Sequence, residues 1–331
     1  MTTQKTVTPR RNKFAGLVTT VLLLSSSLSV HAADTTLVIG DQARIMRSLM
    51  ESAGVLNNLP YQIRWANFQG AAPLFEAQRA DAVDTSFAGD LPVLQALAGG
   101  VRLTILQTDV ATGKGNGIVV PAGSPIRSIS DLKGQQVVVS SAAGSISQNL
   151  LYLALAKAGI DRQATRLRFV LPTDASAAFD SGQIKAWAVF DPYLAVAQEN
   201  GARLLTDASH LTTSFSFLSA TTASLADPHK RQAIWDFAKR VRQARQWAID
   251  HPALYASSYA QLSHLPLKTA QLITSRGPSI SRPVTEADLN ALQQTADRFY
   301  HYGILPTKIT VRQFADTDFL THAANSTQST P

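Results

Sequence analysis

From Thr36 onward, short runs of β-branched and aliphatic residues alternate with stretches whose apolar positions recur every three or four residues. The short runs have the length of buried strands, and the longer periodic stretches that of helices packed on one face. In order, the pattern predicts a strand over Thr36–Gly40, a helix over Ile45–Ala53 and a strand over Tyr61–Trp65. A helix over Ala72–Ala80, a strand over Ala82–Phe87 and a helix over Leu91–Ala98, begun by Pro92, follow. Strands over Leu103–Gln107 and Ile118–Val120 come next, then a helical turn over Ser130–Gly134. Gln136–Ser140 starts the series again. Strand and helix alternating in this way predict an α/β protein with largely parallel sheet.

The restart keeps a register of 101 residues. Val38 and Val139 each end an apolar strand that runs into a loop of small and polar residues and then a helix. Asp90 and Asp191 are separated by the same interval, as are Gly100-Val101-Arg102-Leu103 and Gly201-Ala202-Arg203-Leu204. Three matches in one register predict two lobes built on one plan. The expected division is 34–116 with 222–320 for the first lobe and 117–221 for the second. Beyond Ala220 the pattern turns helical. Asp227-Pro228 has the form of an N-cap with proline at the first helical position. The helix behind it places Ile234, Phe237, Ala238, Val241 and Ala248 on one face and stops before His251-Pro252. A second long helix begins at Thr285, with Asp288 in a capping-box position, and ends near Gly303. The polar stretch 321–331 is expected to be a disordered tail.

A composition of 45% hydrophobic and 16% charged residues belongs to a globular chain rather than a disordered one. Residues 1–32 carry the marks of a removed signal peptide: Arg10, Arg11 and Lys13 precede a serine-diluted apolar stretch, and Val30-His31-Ala32 suits cleavage. Removing its four basic residues takes the formal charge from +7 to +3. No run of Lys and Arg interleaved with aromatics follows it, so nucleic acid is not an expected partner. Cysteine is absent, which excludes disulfides, a thiolate nucleophile, cysteine metal sites and a lipidated anchor. Export without a tether points to a periplasm. The histidines at 210, 229, 251, 264, 301 and 322 are scattered, without metal-binding spacing, and there is no GxSxG. The glycine-rich run Gly113-Lys114-Gly115-Asn116-Gly117 lacks the phosphate-loop spacing and reads as a turn before a strand crossing between lobes. Neither a catalytic residue, a metal nor a cofactor is expected.

Ligands of α/β proteins sit at the carboxyl ends of parallel strands, beside helix N-termini. Four loops qualify: Gly40-Asp41-Gln42, Gly89-Asp90-Leu91-Pro92, the small-residue run Ser140–Ser145 and Phe190-Asp191-Pro192-Tyr193. Two come from each repeat. Asp90 and Asp191 are equally suited to capping helices and to touching a ligand, while Ser141 and Ser145 suit anion donation. Arg276, in an irregular loop, offers a fork for a sulfonate or carboxylate.

Phe75–Leu94, Gly117-Ile118-Val119-Val120-Pro121 and the run from Ser124 to Gly134 resemble the aliphatic sulfonate-binding proteins of ABC importers. So do Ala177–Gly182, Ala186-Trp187-Ala188 and Asp191-Pro192-Tyr193-Leu194, and the resemblance extends from about Thr36 to Pro306. It implies a type II periplasmic-binding fold, with two lobes, two crossover strands and a central ligand cleft. The implied role is reversible capture of an aliphatic sulfonate by a periplasmic monomer, which delivers it to a permease and its ATPase in the inner membrane. Taurine, a sulfate ester, nitrate or another small anion are the alternatives. The resemblance implies ligand contacts at Gln42, Gly89, Asp90, Asn116, Ser141, Ser145, Asp191 and Arg276. Two departures stand out: the family often has Glu where Asp90 stands and Trp where Phe190 stands. A desulfinase related to the fold uses a cysteine near the position of Gln42, and this chain has none.

Overall fold

A computed structural model describes residues 35–320; the expected signal segment and tail lie outside them. Two sheets form the framework. The first holds β1 (Thr36–Gln42), β2 (Gln62–Phe68), β3 (Thr85–Gly89), β4 (Leu103–Val110), β10 (Phe215–Thr221) and β11 (Ile280–Pro283). The second holds β5 (Asn116–Val120), β6 (Gln136–Val139), β7 (Arg166–Phe169), β8 (Trp187–Phe190) and β9 (Arg203–Asp207). Helices α1 (Ile45–Ser52), α2 (Ala71–Arg79) and α3 (Asp90–Ala98) connect the first set of strands, and α4 (Ile146–Lys157), α5 (Pro172–Asp180) and α6 (Tyr193–Glu199) the second. The C-terminal part adds α7 (Thr222–Ala226), α8 (Pro228–Asp250), α9 (Pro252–Ser263), α10 (Leu267–Ser275) and α11 (Glu286–His301). No described helix is long and apolar enough to cross a membrane.

The sheet orders make the repeat explicit. One sheet runs β11-β4-β10-β3-β1-β2 and the other β9-β5-β8-β6-β7. Strands β1, β2 and β3 pair in parallel, as do β6, β7 and β8. The antiparallel strand inserted in each sheet, β10 or β5, comes from the far side of a crossing. Ile45 and Ile146 open α1 and α4, and Ala71 and Pro172 open α2 and α5, both pairs at the 101-residue interval. The expected two-lobed fold with two crossovers is therefore present. One boundary moves: β10 pairs with β3 and β4, so Phe215–Thr221 lies in the first sheet rather than with the 117–221 span.

The crossings occupy residues 111–115 and 208–214 and touch each other. The Ala208 N–H donates to the carbonyls of Gly113 and Asn116, and the Ala111 N–H to that of Ser214. Gly113 has a φ of +82°, and a Cβ there would meet the Ala208 and Ser209 backbone at 2.7 Å. The contact needs glycine at this point of the run that resembles a phosphate loop only superficially.

Apolar faces cover each sheet on both sides. Leu37, Ile39, Leu49 and Met50 pack against Ile234, Phe237 and Val241 of α8. The opposite face joins α3 and α11 to the second lobe through Leu150, Leu151 and Leu155 of α4. Trp187 and Phe179 anchor the outer face of the second sheet. Caps fall where the residue types place them. Asp227 accepts from the N–H groups of His229 and Lys230, and Thr285 and Asp288 form the reciprocal box that starts α11. The strand expected over Ala82–Phe87 instead begins at Thr85, and Asp84 just before it serves as a tie. Its carboxylate accepts from the Val38 N–H, Ser224 Oγ and Lys230 Nζ.

Candidate functional site

The parallel strands of both sheets end facing one another, and the loops beyond them enclose a cavity of about 570 Å³. Gln42, Gly89, Asp90, Asn116, Ser141, Ser145, Asp191 and Arg276 all line it. The two crossings supply part of its floor through Thr112, Gly113, Thr212 and Ser214, and Phe87, Phe190 and Phe215 give it aromatic surface.

Each loop takes its shape from local hydrogen bonding. Asp41, at the end of β1, accepts from the N–H groups of Gln42, Met46 and Arg47 at 2.8, 3.0 and 2.9 Å. Its carboxylate thus occupies the first turn of α1. Burial pushes the Asp41 carboxyl up to about 6 against the pull of those three bonds. Gln42 Nε2 donates to the Phe87 carbonyl (2.8 Å), which fixes it across the ends of β1 and β3. At Asn116, Nδ2 donates to the Ile146 carbonyl (3.2 Å) while Oδ1 accepts from Ser147 Oγ (3.3 Å). Asn116 therefore ties a crossover strand to the start of α4. Ser145 caps α4 by accepting from the Gln148 N–H, which leaves its own O–H to donate.

The two aspartates shared by the repeat behave differently. Asp90 is the first residue of α3, with Gly89 as N-cap. Its carboxylate accepts from the Leu91 N–H (2.7 Å) and Asn149 Nδ2 (3.1 Å), and burial raises its pKa. Asp191 accepts from the Ala195 N–H (3.2 Å) in the first turn of α6 and meets Arg276 from the other lobe. Arg276 Nε lies 2.7 Å from Asp191 Oδ2, and Nη2 donates to Asp191 Oδ1 (3.2 Å) and to Gln198 Oε1 (2.8 Å). Burial raises the Asp191 carboxyl to about 6, with Arg276 opposing that rise. The fork expected to be open for an anion is thus engaged across the cleft.

The lobes are closed on one another. A Cβ on Gly89 would sit 2.2 Å from Ile146 Cγ2, one on Gly144 would sit 2.9 Å from Gln95, and one on Gly70 would sit 2.6 Å from Ser141 Oγ. Thr173 Oγ1 donates to Gln69 Oε1 (2.9 Å), and Lys268 pairs with Glu199 (3.0 Å) at the rim.

Several lining residues escaped the sequence reading. Arg245 of α8 reaches the cavity while paired with the buried Asp109 (2.8 Å), which also accepts from Ser281 Oγ. Tyr255 of α9 lines the same side. Asn149 lies one turn into α4 beside Asp90, with its Oδ1 buried and unmatched by any donor among the described residues. A polar triplet, Ser147-Gln148-Asn149, opening an otherwise apolar helix was the available signal. Arg245 has none, since it stands in a long amphipathic helix far from any strand-end loop.

Residues 50–262 match the model of the NMT1-like family. A protein of Escherichia coli (strain K12), assigned as an aliphatic sulfonates-binding protein, is 32% identical over 88% of this chain and 92% of its own length. The alkanesulfonate-binding protein SsuA of Xanthomonas axonopodis pv. citri, bound to MOPS, superposes with a TM-score of 0.77 at 27% identity. That match covers 86% of this chain and 99% of the other. The periplasmic aliphatic sulphonate-binding protein SsuA of Escherichia coli superposes with a TM-score of 0.76 at 29% identity, over 87% and 99% of the two chains. With a family model spanning well over half its length and relatives matched almost end to end, this chain belongs to the NMT1-like family, among its SsuA-like members.

Proposed function

We propose that this protein is the periplasmic solute-binding component of an ABC importer and that it carries a small organic sulfonate. It would act as a monomer that delivers its cargo to a permease and ATPase of the inner membrane, and it catalyses no reaction. The observation that carries the reading is the cavity of about 570 Å³ lined by the strand-end loops of both lobes. Its size suits a buffer-sized organic molecule rather than a bare inorganic ion, which weighs against nitrate or sulfate as the cargo. The likeness to alkanesulfonate-binding relatives supports the sulfonate class.

The geometry suggests how such a ligand is held. Ser141 and Ser145 offer hydroxyl donors to sulfonate oxygens at the start of α4, where the helix dipole favours negative charge. Phe87, Phe190, Phe215 and Ile146 provide apolar surface for the organic part. Gln42, Gly89, Asp90, Asn116, Asp191 and Arg276 complete the proposed contact set, with Asn116 and Arg276 acting chiefly through the walls they hold together. Closure removes water from the ligand and produces the shape a permease would recognise.

Calorimetric titration of the purified protein with short alkanesulfonates, aminosulfonates, sulfate esters, sulfate, nitrate and dicarboxylates tests this. At least one organic sulfonate should saturate a single site. At 100 times Kd it should stabilise the fold by about 2.7 kcal/mol. Tight binding of another anion class, with no sulfonate bound, would overturn the assignment.

A further inference from the structure

The two aspartates that the repeat places alike draw positive charge from different directions. Asp191 meets Arg276, at the C-terminal end of α10, across the cleft. Asp90 forms no ion pair at bonding distance among the described residues. Its carboxylate accepts one backbone N–H and one amide N–H, and the residue is only 5% exposed. The arginines of the main cavity are already engaged, Arg245 by Asp109 and Arg276 by Asp191. A carboxylate this far out of water resists burial unless a cation stands near it.

That cation stands behind it. Asp90 and Asn149 line both the main cavity and a smaller one of about 300 Å³, whereas Arg298 of α11 lines the smaller one only. Asp90 is the one carboxylate among the described residues in the walls of that smaller cavity. Helix α11 packs on α3, the helix that Asp90 begins, so both charges belong to the first lobe. The guanidinium is held from two sides: Nη2 donates to Thr295 Oγ1 (3.3 Å), and the group lies 5.8 Å from the centre of the Phe299 ring. Its Nε is buried with no acceptor among the described residues, so no other acid neutralises it. Its positive field lowers the Asp90 carboxyl against the rise that burial produces.

We infer that Arg298 is a positioning residue of the ligand site, supplying from behind the charge that lets Asp90 be shut into the closed cleft. It does so without touching the ligand. This rests on closure of the lobes around a ligand, and not on which ligand is enclosed. Water shares the compensation of Asp90 while the cleft is open. In the closed cleft the dielectric is lower and the attraction of Arg298 counts for more. Loss of Arg298 therefore falls mainly on the closing step and is read in affinity more than in stability.

The test is a double-mutant cycle between Arg298→Gln and Asp90→Asn in the full mature protein, read in two ways. One reading is the melting temperature without ligand; the other is the Kd for propanesulfonate by calorimetry at pH 7.5. Arg298→Gln should lower the melting temperature by a few degrees and weaken binding threefold or more. Arg298→Lys, which keeps the charge, should retain most of the affinity. In the Asp90→Asn background Arg298→Gln should leave both readings nearly unchanged, because a neutral amide needs no counter-charge. A merely structural role for Arg298 would cost the same in both backgrounds, and equal losses would overturn the inference. So would a Kd that Arg298→Gln leaves unaltered. Should Arg298→Gln not fold alone, recovery of folding in the Asp90→Asn background would support the pairing, and failure in both would overturn it. If neither propanesulfonate nor any other sulfonate binds, the sulfonate reading falls, and the melting-temperature cycle still decides the pair.

Discussion

Asp41 shows how much of the cleft is set by single carboxylates taken out of water. It is 3% exposed, and its two oxygens stand in for an external anion at the start of α1. Between its ordinary value of 3.8 and its folded value of about 6, the native state holds a proton that the unfolded chain has released. Stability from this group is therefore greatest below pH 4, falls as pH rises to about 6, and is level above that. A shift of this size corresponds to a span on the order of 3 kcal/mol. Asp90, also raised by burial, acts in the same direction, and Asp191, raised to about 6, does so where the lobes are closed. The carboxylates held low, Asp131, Asp227 and Asp288, titrate below 3.8 and do not contribute there. In the ligand-free protein the melting temperature should decline from pH 4 to 6.5. In Asp41→Asn that decline should be shallower, whatever the variant's absolute stability. Calorimetric scans across this range measure both slopes, and equal slopes would mean that Asp41 titrates normally.

The meeting of two elements across the cleft makes a second prediction, at Gly89. Its φ of −66° is open to any residue, so the backbone does not demand glycine. What demands it is Ile146 at the start of α4, with Cγ2 2.2 Å from where a Cβ would be. Gly89→Ala should leave the ligand-free melting temperature within about one degree and weaken ligand binding. Overpacking of one methyl group costs about 1–3 kcal/mol, or roughly 5- to 150-fold in Kd. Ile146→Ala in the same background should recover part of the loss; no recovery would show that the clash lies elsewhere. The loop holding Gly89 was legible in the sequence, as were the other loops of the cleft, because an α/β alternation places ligands at strand ends. The partner atom was not legible, because nothing in the local pattern relates residue 89 to residue 146. The same limit hid β7 and β11. Arg166–Phe169 and Ile280–Pro283 are edge strands held by backbone pairing, with mostly exposed side chains, so they carry no alternation to read. Arg276 shows the converse: its residue type was read as an open anion fork, and a tertiary partner already occupies it.

At the scale of the molecule, the repeat produces two half-sites that are useful only when the crossings bring them together. The 101-residue interval placed Asp90 and Asp191 at equivalent positions, and the fold then gave them unequal partners. Asp191 is matched by Arg276 from the opposite lobe, and the prediction is that their pairing is made on closing and lost on opening. In an open form both groups return to water, which compensates each of them; in the closed form, removing one strands the other in a buried site. The energy of the pair should therefore appear in ligand affinity, which includes the closing step, rather than in the stability of either lobe. Arg276→Gln and Asp191→Asn should each weaken binding by tenfold or more. The double variant should bind no worse than the weaker single one, which makes the two effects strongly non-additive. If Arg276 instead contacted the sulfonate directly, its loss would weaken binding to a similar extent whether or not Asp191 was present, and the two effects would add. A double-mutant cycle measured by calorimetry at pH 7.5, where the Asp191 carboxyl with its value of about 6 is largely ionised, separates these arrangements. Repeating it at pH 5 should shrink the coupling, because protonated Asp191 no longer offers Arg276 a charge.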